Sequence, residues 1–179
     1  MAEFPANPPD APGYVLLDGM RIATIRHGSG ADLASQARSL GLEWPARPGA
    51  ITGQDPYLVW RDPQEVISVG TSTSSAAAHA STTFLAGLAP GARTDAVAVD
   101  LSEAVRVFEL PGPCIDDWLE RLVDASAVPR LAGTATRCRF ADIAVLLLRL
   151  APQRLWLLAD RALEAYVKDW LDYSRRGLH

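Results

Sequence analysis

Cysteine is scarce: Cys114 and Cys138 are the only two. A pair so placed makes neither a disulfide framework nor a zinc-ligand pattern, so both are expected to be reduced thiols of a cytoplasmic protein. Histidine is nearly as rare. His27, His79 and His179 lie far apart, none at ligand spacing with a cysteine or carboxylate, and no metal site is expected. A basic block is missing too. The net charge of −4 is spread along 179 residues, which argues against nucleic acid, whose binding needs clustered Lys and Arg. The longest apolar run, Ile143 to Leu148, is too short to span a bilayer. The opening MAEFPANPPD lacks the basic start and apolar core of a signal peptide.

What is present fits a globular α+β domain. The chain is 49% hydrophobic and 21% charged, and its length can bury a core without staples. The stretch Asp100 to Leu122 is the most legible. Val105 to Leu110 mixes β-branched, aromatic and apolar residues as a strand does. Pro111-Gly112-Pro113 breaks it. Ile115, Trp118, Leu119, Leu122 and Val123 then recur at helical spacing, with Asp116 and Asp117 in the first turn, where the helix dipole favours them.

The remaining chain divides around this unit. Residues 1–19 form a Pro-rich arm, with Pro5, Pro8, Pro9 and Pro12 forbidding helix. It is either a loose tail or an arm lying along a partner, with Phe4 and Tyr14 as anchors. Residues 20–175 form a single domain. Helices are predicted over 31–40, 73–88, 113–124 and 161–174, the last capped by Asp160. Strands are predicted at Met20 to Ile25, Tyr57 to Trp60, Val66 to Val69, Asp95 to Val99, Thr136 to Phe140, Asp142 to Leu150 and Leu155 to Ala159. The strand ending at Leu150 is apolar on both faces, so its sheet should be covered twice.

An internal echo suggests duplication. Leu58 to Val69 runs strand, Pro63-Gln64 turn, strand. Leu147 to Leu158 does the same around Pro152-Gln153. Met20 to Leu40 and Ala104 to Leu122 match as strand, turn, helix. The expected architecture is two related β-α-β-β-β-α halves, about 20–90 and 95–175.

No residue is assigned a catalytic, cofactor-binding or metal role. Gly28-Ser29-Gly30 between strand and helix invites phosphate, but lacks the Lys-Ser/Thr of a P-loop and the third glycine of a dinucleotide fingerprint. Ser72, Ser74 and Ser75 near His79 resemble no nucleophile elbow. Asp116, Asp117 and Glu120 read as a solvated helix face rather than an acid–base pair. Cys114, near a helix N-terminus, reads as a small core residue against the alternative of an activated thiolate. Trp118, Trp156 and Trp170 sit on core stripes. Trp44 and Trp60 fall in loop or edge segments and suit, with the arm, a protein interface.

In the order Ile25-Arg26-His27-Gly28, Val59-Trp60-Arg61-Asp62-Pro63-Gln64-Glu65-Val66, Val99-Asp100-Leu101-Ser102, Leu110-Pro111-Gly112-Pro113 and a closing helix from Asp160 to Leu171, the chain resembles the gamma subunit of heterotetrameric sarcosine oxidase. That family is distantly similar to the folate-binding aminomethyltransferase (glycine-cleavage T-protein) fold. The resemblance implies an accessory, non-catalytic subunit beside a larger alpha-type subunit with beta and delta chains. It places FAD, FMN, NAD, tetrahydrofolate and zinc in those partners and none in this chain. The substrate implied is sarcosine or a related N-methyl amine or amino acid. A stand-alone folate-binding aminomethyltransferase-like protein is the other reading.

Overall fold

Two five-stranded antiparallel sheets lie face to face, and each carries its helices on the outer side. The computed structural model describes residues 13–28, 32–71, 83–87 and 95–176. In chain order these form β1 (Val15–Leu17), β2 (Met20–His27), α1 (Leu33–Ser39), β3 (Ile51–Gly53), β4 (Tyr57–Asp62) and β5 (Glu65–Thr71). A helical stretch at 83–87, α2, follows. Then come β6 (Ala96–Asp100), β7 (Val105–Pro111), α3 (Ile115–Leu119), β8 (Thr134–Phe140), β9 (Ile143–Ala151), β10 (Arg154–Asp160) and α4 (Glu164–Ser174), with single 3₁₀ turns before β8 and α4.

Alternation along the strands builds the layers, because successive side chains point to opposite faces. On β10, Leu155 and Leu157 face the helices α3 and α4, while Trp156 and Leu158 face the other sheet. On β9, Val145 and Leu147 pair with Leu146 and Leu148 in the same way. This strand is apolar on both faces because both faces are covered, as its composition requires. Between the sheets, Met20, Ile22, Val59, Ile67 and Val69 meet Val107, Leu146, Leu148, Trp156 and Leu158. On the far side of the second sheet, Ile25, Leu58 and Val66 pack under Leu33, Ala37 and Phe84.

The duplication is visible in the strand orders, β1-β7-β10-β9-β8 and β6-β2-β5-β4-β3. Both Pro-Gln pairs are two-residue turns between paired strands, β4–β5 and β9–β10, and each hairpin carries a register shift near its turn. The edge strands are exchanged. β1 leads into β2, yet pairs with β7 of the other sheet; β6 leads into β7, yet pairs with β2.

Several expectations need correction. Within the stretch 1–19 expected as an arm, Val15–Leu17 is a strand in register with Val107 to Glu109. Residues 1–12, with Phe4, lie outside the described residues. β6, expected with the second half, completes the first half's sheet. The helix expected over 113–124 is regular only from Ile115 to Leu119, with Cys114 as its N-cap. The chain then tightens, Leu122 N donating to Leu119 O at 2.8 Å. The apolar stripe survives this, with Trp118 and Leu119 fully buried. Of the helix expected over 73–88 only 83–87 is described. The helix expected over 161–174 begins as a 3₁₀ turn, Asp160 accepting from Ala162 N at 2.8 Å.

Candidate functional site

An open cleft of about 620 Å³ lies at the end of β2 and β6, lined by Arg26, His27, Gln64, Glu65, Asp95 and their neighbours. It is built by the first Pro-Gln turn, which lays Glu65 beside β2. Glu65 is 6% exposed. Its Oε1 accepts from the Thr24 hydroxyl at 2.5 Å and from Arg61 Nη1 at 2.8 Å, and Arg26 Nε lies 3.6 Å away. A buried carboxylate needs such partners. Held this way it fastens the hairpin to β2. Gly28 closes the cleft against Asp95. Its N–H donates to Asp95 O at 2.7 Å, and a Cβ there would lie 2.1 Å from the Asp95 carboxylate. Gly28 therefore serves a close strand approach. Ser29 and Gly30 lie outside the described residues, as do Ser72, Ser74, Ser75, His79 and His179.

The second half holds a cation that the sequence reading passed over. Arg149, in the apolar strand β9, is 1% exposed. Its Nε donates to Pro129 O at 2.9 Å and its Nη1 to Pro152 O at 3.0 Å. Its Nη2 pairs with Asp116, which Arg130 also reaches at 3.0 Å. Arg130 joins Glu120 as well. Asp116 and Glu120 are thus not a simple solvated face: Asp116 neutralises a buried guanidinium, while Asp117 is exposed. An arginine inside an otherwise apolar run was the available signal.

Cys114 caps α3 without a side-chain hydrogen bond and is half-buried. Cys138 packs against the helix-side core, and burial pushes its thiol up to about 11. On β7, burial works to raise the Glu109 carboxyl, but hydrogen bonds from Trp156 Nε1 and Arg154 Nε, both 2.7 Å, leave it below the ordinary value. Among the described residues no group of three or more His, Cys, Asp or Glu could hold a metal ion, and no helix is long and apolar enough to cross a membrane.

The aromatic residues fall differently from expectation. Tyr14 is an anchor within this chain: it packs edge-on to Phe108 at 6.0 Å, and its hydroxyl lies 3.4 Å from Asp172 Oδ2. Trp60 lies inside β4, between β3 and β5, rather than at an edge. Trp44 is half-buried against His27 and Phe84. Trp118 and Trp156 are core residues, but Trp170 is 36% exposed, stacked edge-on between Tyr166 and Tyr173 on the outer side of α4.

No protein-family model matches the chain. A search of curated proteins also finds no match. Solved structures do match. A chain of the heterotetrameric sarcosine oxidase from Corynebacterium sp. U-96, in complex with pyrrole 2-carboxylate, aligns with a TM-score of 0.79 and 21% identity, over 94% of this chain and 86% of its own. The glycine cleavage system aminomethyltransferase T from Bartonella henselae aligns with a TM-score of 0.60 and 11% identity. It covers 90% of this chain, which spans only 45% of that protein. The paired-sheet α+β fold with two related halves is therefore the fold shared by a sarcosine oxidase chain and part of an aminomethyltransferase.

Proposed function

We propose that this chain is the gamma-type accessory subunit of a sarcosine-oxidase-like heterotetramer, which oxidatively demethylates sarcosine or a related N-methyl amine or amino acid. One observation carries the reading: the alignment spans nearly the whole of both this chain and the sarcosine oxidase chain, whereas it spans less than half of the aminomethyltransferase. A subunit of matching extent supports the first reading over a stand-alone transferase. Two carboxylates point the same way, since the buried Glu65 and the half-buried Asp116 are both tied into internal ion pairs. The chain contributes structure, and the flavins, nicotinamide, folate and zinc belong to the larger partners. The folded unit spans 20–175 together with β1, and it is cytoplasmic.

The test is native purification of the tagged chain from its source. Co-elution with larger subunits, a flavin absorbance spectrum and sarcosine-dependent formaldehyde release are expected. A colourless monomer that binds tetrahydrofolate would favour the transferase reading instead.

A further inference from the structure

A second recess, of about 140 Å³, opens between the two sheets and has a composition unlike the first. Its floor is apolar: Ile22 and Ile67 from one sheet face Leu146 and Leu158 from the other, all at most 8% exposed. Its rim carries two guanidiniums from opposite sheets, Arg61 on β4 and Arg137 on β8. Among the described residues Arg61 is engaged only through Nη1, with Glu65. Arg137 has no hydrogen-bond or ion-pair partner among the described residues. The one acid on the rim among the described residues, Asp160, already accepts the Ala162 N–H.

We infer that this crevice binds a small carboxylic acid with an apolar body. Guanidinium presents parallel N–H donors that match a carboxylate, and such charge-assisted bonds are the stronger kind. The floor adds nothing for a bare anion and rewards hydrocarbon removed from water, so it favours an anion that carries an apolar body. The volume is that of about five waters in the liquid, enough for a branched chain of a few carbons. The fold does not impose this arrangement. At the position matched to Arg61 across the Pro-Gln hairpins, the second half has Leu150, so Arg61 is not repeated by the duplication.

The experiment is calorimetric titration of the full chain with 3-methylbutanoate, with 3-methylbutanamide as the neutral isostere and inorganic phosphate as the anion without a body. The acid is expected to bind with a Kd of about 1 mM, the amide and phosphate at least tenfold more weakly. Arg137→Gln, at an exposed site, is expected to weaken the acid about tenfold without changing the melting temperature. Arg139→Gln, whose arginine pairs with Asp142 outside the crevice, is expected to leave binding unchanged. Equal binding of acid and amide, equal binding of phosphate, equal loss in both arginine variants, or no binding of the acid would each overturn the assignment. None of these outcomes depends on whether the chain assembles with larger subunits.

Discussion

Arg149 and Asp116 meet across the junction of β9 and α3, and the pair stitches three loops together. The guanidinium also holds the carbonyls of Pro129 and Pro152, so one buried side chain fixes the start of α3, the approach to β8 and the second Pro-Gln turn. Removing Asp116 leaves the buried guanidinium without its counter-charge, whereas removing Arg149 leaves the half-buried Asp116 to Arg130. Asp116→Ala is expected to lower stability by about 3 kcal/mol, read by urea denaturation. A smaller loss for Asp116→Ala than for a surface control such as Asp117→Ala would show that Arg149 does not depend on it.

Gly49 has φ +69, and an added Cβ would lie 2.6 Å from the carbonyl oxygen of Ala135. The same carbonyl region carries the bridge between the two sheets, where Ala135 N donates to Gly49 O at 2.7 Å and Ile51 N to Gly133 O at 2.9 Å. Gly49→Ala is expected to cost about 2 kcal/mol through strain and a parted bridge. Hydrogen exchange should show faster exchange at Ile51 and Ala135 in that variant.

The β8–β9 turn offers the opposite effect. Ala141 and Asp142 both have positive φ, 41° and 77°, in a two-residue hairpin where asparagine and glycine are favoured. Replacing them with Asn-Gly is expected to raise stability by about 1 kcal/mol. No gain in melting temperature would mean that the Tyr166 hydroxyl bond to the Ala141 carbonyl had been disturbed.

Cys138 should behave as an inert thiol at neutral pH. Burial raises its pKa from 9.0 to about 11, so the folded state favours the neutral form. That contribution is fully present below pH 9 and is lost as pH rises through 11. Native alkylation at pH 8 should spare Cys138, and Cys138→Ala should flatten the loss of stability between those two values. Rapid labelling of Cys138 in the folded protein would contradict the burial argument.

Trp60 now makes a different claim from the one its sequence position suggests. Inside β4 and paired with Val66, it should cost about 2 kcal/mol when cut to alanine. A Trp60→Ala chain that keeps its melting temperature would return this residue to the interface. Trp170→Ser, exposed on α4, should change stability by no more than about 0.5 kcal/mol.

The legible parts of this fold were those with local causes. Pro-Gln turns, the stripe of α3 and the two-faced composition of β9 all act within a few residues, and each led to the right element. What stayed hidden was non-local. Nothing in Val15–Leu17 says that it pairs with Val107 to Glu109 rather than with the neighbouring β2, because a three-residue apolar stretch suits either sheet. Arg149 was hidden for the same reason: its partners sit at residues 116, 129 and 152. Trp170 misled because Tyr166, Val167, Trp170 and Leu171 share a helical period, while the buried face uses Val167, Leu171 and Ser174.

The exchanged edge strands bear on how the chain is made. As synthesis proceeds from the N-terminus, β1 emerges before β2 but has no partner until β7 is complete at Pro111. β2 lacks one neighbour until β6 is complete at Asp100. The first half therefore cannot close its sheet alone, and contacts of such long sequence separation slow folding because loop closure must precede them. A ribosome-bound chain arrested before Asp100 should remain open to proteolysis throughout, and one released past Pro111 should gain protection in both halves together.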